Sequence, residues 1–374
     1  MNRPRLKIVQ PADLPGLLDI LTEGFPSHSV AQWEHRFKAW WLNNPFLGPE
    51  MPIGWALKDQ QSGIVGFMGS IPVKFLVNGK KDIAVAASSW YVKPSFRGVH
   101  SLSFLLAFQR QPTPGLFLST TPTIIVANIL RQLDFASLEF PFQRREYWLV
   151  LRVEEILNRL LRRYLKSERF HPLLNLATIP FKAVWRSFYL PKNRRLGRHQ
   201  NKHYICSLTT SCDDSFTELW EKAKAEETST LYRDAQTLNW LLSAGHTEGS
   251  RLLIRCEDAR KHELKGYMLI DLDLPDGSSF PTMHLKDLFL PSLEEEALLS
   301  MIAYAMRLAK ERKVSLLKLW AANPETDRLL RKHIRLQKTI EYPYFYKFGR
   351  GVRASIGPSP AVVPSLLDPD RGLI

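Results

Sequence analysis

Lys93-Pro94-Ser95-Phe96-Arg97-Gly98 is a tight basic turn, and its residue types suit the holding of a phosphate. It is entered from the apolar run Ile83 to Val92, which reads as a buried strand. It is left through a helix starting near Ser101 with Leu102, Leu105 and Leu106 on one face. Unpaired backbone N–H groups and the positive end of the helix dipole converge where a strand turns into a helix, so an anion can be held there largely by main chain. Tyr91, Val92, Arg97, Gly98, Val99, His100 and Ser101 are therefore the candidate residues for a phosphorylated ligand. A plain surface turn uses similar letters, and His100 also fits a solvated helix-start residue, so the surrounding elements decide.

Those elements come in a telling order. Asp59-Gln60-Gln61-Ser62-Gly63 reads as a hairpin turn and Ile64-Val65-Gly66-Phe67-Met68-Gly69 as a strand. After the basic turn and its helix come a strand at Gly115 to Ser119, then Thr120-Thr121-Pro122, then a helix ending Leu130-Arg131-Gln132-Leu133-Asp134-Phe135. From about Leu6 to Arg152 this order resembles the GCN5-related N-acetyltransferase (GNAT) family, in which a loop R/Q-x-x-G-x-G/A holds the pyrophosphate of coenzyme A. The resemblance implies acetyl-CoA or another acyl-CoA as co-substrate. Arg97 matches the loop, but His100 and Leu102 stand at its two glycine positions, where a side chain crowds the backbone approach to the phosphates. Many members carry a tyrosine acid in the next helix and a glutamate base on the strand. Here Leu130 occupies the first place, and Ser88 and Ser89 are the nearest polar groups to the second.

The second half echoes the first at an offset of 200 residues: Ile64 to Met68 by Leu264 to Met268, Trp40 by Trp240, Leu130-Arg131 by Leu330-Arg331. The expected fold class is α/β, with two GNAT-like domains, each a mixed, mostly antiparallel sheet flanked by helices. The domains fall at 1–150 and 204–350, joined by a basic helical linker at 151–203 and followed by a tail at 351–374. In the second half Arg251 to Cys256, Gly266 to Leu272, Met283 to Leu290 and Leu316 to Trp320 read as strands. Leu231 to Ala244 and Leu293 to Arg312 read as helices, and Pro275-Asp276-Gly277 as a turn. The second strand-to-helix junction, Pro291-Ser292-Leu293-Glu294-Glu295-Glu296, is acidic and repels a pyrophosphate, so the acyl-CoA site is expected in the first domain.

The net charge is +14, and residues 141–203 hold fifteen Lys/Arg against four Asp/Glu. Within them Val153, Ile156, Leu157, Leu160, Leu161 and Tyr164 share one helical face, with Arg159, Arg162, Arg163 and Lys166 on the other. A basic amphipathic helix fits a peripheral contact with an anionic membrane, and fits equally a helix packed between domains. No helix-turn-helix, zinc-finger or RNA-binding pattern accompanies the charge, so nucleic acid is not an expected partner. No apolar stretch reaches the ~20 residues of a membrane span. Cys206, Cys212 and Cys256 lack metal or disulfide spacing, which fits a reducing cytoplasm.

The expected reaction is acyl transfer from acyl-CoA to an amine or hydroxyl on a small-molecule or lipid-linked acceptor, such as a cell-envelope or polysaccharide precursor. Ser89 and Asp287, which take matching places in the two halves, are the candidate catalytic residues. Trp40 and Trp41 suit a core or a cleft wall. Two other functions fit the same letters: a non-catalytic degenerate tandem GNAT that binds a partner or a membrane, and an aminoacyl transferase of the Fem type. The latter requires a basic groove running along both domains.

Overall fold

Short runs rich in β-branched and aromatic residues alternate with amphipathic segments along the chain, and they form strands and helices respectively. The computed structural model describes residues 3–77, 79–112, 114–138, 144–164, 179–199, 201–224, 228–245, 247–274, 280–321, 323–340, 343–349 and 361–362. They divide into two units, the first drawn from 1–139, 216–249 and 342–374, the second from 140–215 and 250–341. The expected turn at Pro275-Asp276-Gly277, the tail apart from 361–362, and residues 165–178 and 200 of the basic linker lie outside the described residues.

In the first unit β1 (Arg5–Ile8), β2 (Gly54–Asp59), β3 (Gly63–Val77) and β4 (Lys80–Val92) pair antiparallel in that order. β4 then pairs in parallel with β5 (Leu116–Ser119). Beyond β5 lies Phe345–Phe348, from the far end of the chain, and then β6 (Ala136–Ser137). Helices α1 (Leu14–Gly24), α2 (Val30–Phe37), α3 (Val99–Gln109) and α4 (Ile124–Gln132) flank this sheet. Val85, Phe104, Leu105, Phe108, Phe117 and Leu130 form the core that seats α3 and α4 on it.

The second unit repeats the strand order. Tyr204–Thr209, Arg251–Asp258, Leu264–Asp273 and Thr282–Phe289 run antiparallel, and Thr282–Phe289 pairs in parallel with Leu316–Trp320. Next come Arg145–Val150 and the edge strand Gln337–Thr339. In each sheet the strand next to that edge comes from the other half of the chain, Phe345–Phe348 in the first and Arg145–Val150 in the second. Arg145–Val150 is held by its own side chains as well, since the Tyr147 hydroxyl donates to Asp327 at 2.7 Å and Arg145 pairs with Asp327 at 2.9 Å. The helix Glu295–Glu311 buries Leu298, Met301, Ile302 and Ala305, and Glu295 and Glu296 sit in its first turn, complementing the dipole.

α2 runs directly into a π-helical turn, Lys38–Leu42. One local expectation changes. Leu231 to Ala244 is not one helix: Thr228–Leu231 is a strand on the far end of β3, and the helix is Ala235–Ser243. The long β3 needs a partner there, β-branched Thr228 and Thr230 suit an extended chain, and Asp234 caps the helix by accepting from the Thr237 amide at 3.0 Å. The described parts of the basic segment form the helices Val153–Tyr164, Ile179–Val184 and Leu190–Gly197, with Val153 and Trp185 buried. Among the described residues no helix is long and apolar enough to cross a membrane.

Asp234 is also ion-paired with Lys74 on β3, with side-chain exposures of 9% and 7%. The Lys74 ammonium lies 4.6 Å from the Tyr232 ring centroid as well. Burial works to raise the Asp234 pKa, but hydrogen bonds from Lys74 and Thr237 hold it below the ordinary 3.8. Removing one partner of a buried pair leaves the other charge uncompensated, so Asp234→Ala should lower unfolding stability by about 3–5 kcal/mol in chemical denaturation. A carboxylate with a depressed folded pKa stabilises fully above its unfolded value and loses that contribution as pH falls through the folded one. The difference between wild type and Asp234→Ala should therefore shrink below about pH 4.

Candidate active site

β4 and β5 are paired at only three positions, Ala84 with Leu116, Val85 with Phe117 and Ala86 with Leu118. Ser119, at the end of β5, pairs instead with Phe345, while β4 runs on through Ala87–Val92 without a β5 partner. A bulge lies in this stretch. Gly69 opposes Ser88 and Phe67 opposes Tyr91, so Ser89 and Trp90 together face Met68 alone. Ser89 has φ +52, a left-handed conformation that is strained for a residue other than glycine, asparagine or aspartate. Gly69 is the counterpart of this bend. A Cβ there would come within 2.5 Å of the Trp41 ring, whose Nε1 donates to the Ser70 carbonyl at 2.9 Å.

The bulge forms one wall of a cavity of about 230 Å3. A second wall is α2. Its start is fixed by a capping box: Ser29 Oγ accepts from the Gln32 amide at 3.3 Å, and the Ser29 amide donates to Gln32 Oε1 at 2.8 Å. The spacing i, i+3, i+7 then puts Trp33, Arg36 and Trp40 on one face, and all three line the cavity. The following turn is tied down by Asn44, which donates to the carbonyls of Trp40 (3.0 Å) and Pro72 (2.9 Å), and by Trp240, which donates to the Ala39 carbonyl at 2.8 Å. Phe25 and His28 come from the loop before α2. Ser119, Thr121, Pro122, Thr123 and Val126 close the third side, where Thr123 caps α4.

Arg36 is 1% exposed, with its guanidinium carbon 5.1 Å from the Trp33 ring centroid and 5.2 Å from that of Trp40. His28 is half-buried and lies edge-on to Trp33 at 5.7 Å. Burial, with the Arg36 charge added to it, pushes the His28 imidazole down to about 4, so it is neutral near pH 7. Among the described residues no Asp or Glu lines the cavity.

The basic turn stands at the end of β4. Gly98 caps α3 with φ +89, where a side chain is strained, and a Cβ on it would meet nothing within 4 Å. Arg97 folds back, donating from Nε to the Val92 carbonyl at 3.0 Å, with its guanidinium carbon 5.9 Å from the Tyr91 ring centroid. Tyr91 packs on Gly24, where a Cβ would come within 2.4 Å of its ring, and its hydroxyl donates to Glu23 at 3.2 Å. Ser101 and Leu102 amides are satisfied by the Gly98 carbonyl. Val99 is 82% exposed and His100 half-buried at the mouth of the turn.

The candidates Ser89, Tyr91, Val92, Arg97, Gly98, Val99, His100 and Ser101 thus lie along one continuous strand-turn-helix. Ser89 is on the cavity wall, 3.2 Å from Ser88 between hydroxyls. Asp287 lies in the second unit, 1% exposed, and accepts a hydrogen bond from the Tyr267 hydroxyl at 2.6 Å. The sequence reasoning did not single out His28 or Arg36. The signal was present in the Trp33, Arg36, Trp40 spacing, which places one cation in an aromatic stripe.

The chain matches no protein-family model and no curated protein sequence. Solved structures do match. A probable N-acyltransferase from Enterococcus faecalis V583 is 11% identical with a TM-score of 0.58, over 93% of this chain and 73% of its own. A GCN5-related N-acetyltransferase from Anabaena variabilis is 12% identical with a TM-score of 0.54, over 94% and 74%. Saccharomyces cerevisiae N-myristoyltransferase, solved with bound myristoyl-CoA, is 11% identical with a TM-score of 0.57, over 99% and 82%. At these identities the shared property is the fold, that of the GNAT acyltransferases: two mixed sheets flanked by helices.

A neutral, half-buried histidine makes stability depend on pH. The unfolded chain takes up a proton near pH 6.5 that the folded His28 refuses until about 4, so stability falls as pH drops across that window. His28→Gln cannot titrate. Its denaturation midpoint should decline less between pH 6.5 and 4 than that of the wild type.

Proposed function

We propose that the protein transfers an acyl group from acyl-CoA to an amine or hydroxyl acceptor, with the chemistry in the first unit. The observation that carries this reading is the bulged end of β4, parted from β5, with a cavity on it and a glycine-capped helix N-terminus just beyond. The fold shared with proteins described as acyltransferases supports it. A thioester is already reactive, so an acceptor held beside it gains most of its acceleration from proximity and orientation. The acceptor nitrogen or oxygen bonds to the thioester carbon, the C–S bond breaks, and coenzyme A departs as a thiolate that takes up a proton. The proton shed by the acceptor passes to solvent or to a cavity group.

Each part has a role in this reading. Main-chain N–H groups of 87–92 that lack a β5 partner face the gap, where they stabilise the oxyanion as the carbonyl is attacked. The open space before Gly98 and the first-turn amides of Val99 and His100 suit the pyrophosphate, and Arg97 supplies positive charge from the side. The exposed apolar residues Val99 and Leu102 on α3, and Ile124 and Ile125 on α4, suit the less polar arm of the coenzyme. Duplication of the unit, with the acidic junction at Glu294–Glu296 disfavouring a second coenzyme site, completes the reading.

Isothermal calorimetry with acetyl-CoA and longer acyl-CoAs tests it. One site per chain is expected, and Arg97→Glu should weaken binding at least tenfold by reversing the charge beside the phosphates. Leu102→Gly should leave affinity unchanged or raise it, at a helix cost of about 1 kcal/mol. Absence of acyl-CoA binding to the folded wild-type protein would sink the proposal. Binding indifferent to Arg97→Glu would move the coenzyme away from this turn.

A further inference from the structure

Two of the three cysteines face one another. In the second sheet Tyr204–Thr209 pairs only with Arg251–Asp258 among the described residues, and the register sets Cys206 directly opposite Cys256. Both are free thiols. Opposed residues of an antiparallel pair have Cα atoms about 4.5 or 5.5 Å apart, according to their place in the hydrogen-bond pattern, and a disulfide spans about 4.4–6.8 Å. Either spacing admits a bridge once the two side chains turn toward each other. Cys206 and Cys256 are distant in sequence, so the register alone brings them together.

Their surroundings differ. Cys206 is on the outermost strand and partly exposed, while Cys256 is 0% exposed. The helix Glu295–Glu311 lies along this corner, where the Tyr304 hydroxyl accepts from the Leu208 amide at 3.1 Å. Hydrogen bonding from Cys256, helped by the Arg307 charge, holds the Cys206 thiol below its ordinary 9 although burial works against it. Hydrogen bonding with Cys206 and burial both raise Cys256. Cys206 is thus the thiol that an oxidant meets and that ionises first, and Cys256 stands ready to answer it. Cys212 lies outside both strands and is buried, which pushes its thiol up to about 12.

The pair also brackets one excursion of the chain. Residues 216–249 lie between the two strands in sequence and belong to the first unit. There Thr228–Leu231 pairs with β3, and Trp240 donates to the Ala39 carbonyl. A bridge from Cys206 to Cys256 closes a loop around this segment, which restricts the unfolded chain.

We infer that Cys206 and Cys256 form a reversible thiol–disulfide pair, oxidised by a peroxide, whose bridge staples the outermost strand of the second sheet. The Cys206 thiolate attacks the peroxide: an S–O bond forms, the O–O bond breaks, and the other oxygen leaves as hydroxide or alkoxide and takes up a proton. The Cys256 sulfur then attacks that of Cys206. An S–S bond forms, the S–O bond breaks, and hydroxide leaves with the Cys256 proton as water. Two thiols together lose two electrons, and one peroxide gains them. A small thiol or dithiol reopens the bridge by exchange. No part of this depends on acyl transfer.

The test treats the folded full chain with equimolar hydrogen peroxide, blocks the remaining thiols with iodoacetamide in denaturant, and maps unreduced peptides by mass spectrometry. One disulfide is expected, Cys206 to Cys256, with Cys212 alkylated, and dithiothreitol should remove it. The bridged protein should melt several degrees above the reduced one. In Cys256→Ala the sulfenic acid has no thiol to resolve it, so dimedone should label Cys206 there and not in the wild type. Mapping and melting need no substitution, so they decide the matter even if Cys256→Ala folds poorly.

Peroxide that leaves both thiols free would overturn the inference. So would a bridge that involves Cys212 or a second molecule, or a Cys206 oxidised beyond the sulfenic acid while Cys256 stays a thiol. A bridged protein that melts no higher than the reduced one would show that the bond is no staple.

Discussion

The parallel ladder between β4 and β5 ends after Ala86 and Leu118, and the rest of the first unit's site follows from that ending. A parallel pair cannot be closed by a tight turn, so the chain must leave β4 through a connection and return by a helix. That connection is the basic turn and α3. Beyond Ala86 the edge of β4 that faced β5 no longer has that strand beside it. The bulge at Ser89 sharpens the departure, and its strained φ is tolerated because Trp41, hydrogen-bonded to Ser70, is wedged against Gly69 on the next strand.

The opposite wall depends on a different constraint. α2 is short, and its π-helical continuation would be weak alone, yet it carries three tryptophans and a buried arginine. It is held at its start by the Ser29–Gln32 capping box and at its end by hydrogen bonds from Asn44 and Trp240 to carbonyls that the π turn leaves available. With both ends fixed, the side chains between them cannot swing out. Arg36 is thereby held between the Trp33 and Trp40 rings.

Much of this architecture was legible from the letters. The hairpin at Asp59–Gly63, the turn at Lys93–Gly98 and the strand at Leu316–Trp320 carry local signals, namely glycine and proline at fixed places and apolar runs of strand length, and the α/β class follows from their order. The strand Thr228–Leu231 is missed in the letters, with Leu231 assigned to the following helix, because its only reason to extend is the end of β3, and pairing is not a local property. The same holds for Arg145–Val150 and Phe345–Phe348. Each is a short strand whose own residues do not say which sheet it joins. The bulge was hidden too, since Ser88-Ser89 looks like two small polar residues in an apolar strand until the partner register shows one residue too many. Arg36 is hidden for another reason: on a helix rich in aromatics a cation reads as a surface residue, and only burial reveals it as part of a wall.

Among the described residues lining the cavity the titratable side chains are Arg36 and His28, which bears on how a proton would be handled in the proposed transfer. An amine must be deprotonated before it can attack a thioester, and many transfer sites provide a base for that purpose. In the acyl-transfer reading the Arg36 charge and the aromatic walls would disfavour the ammonium form of an amine acceptor, because both desolvation and a neighbouring positive charge lower an amine pKa. The same two effects hold His28 neutral near pH 7. A glutamate at the bulge would reverse this balance by stabilising the ammonium it was meant to deprotonate. Ser88 and Ser89 in its place keep this end of β4 polar and uncharged.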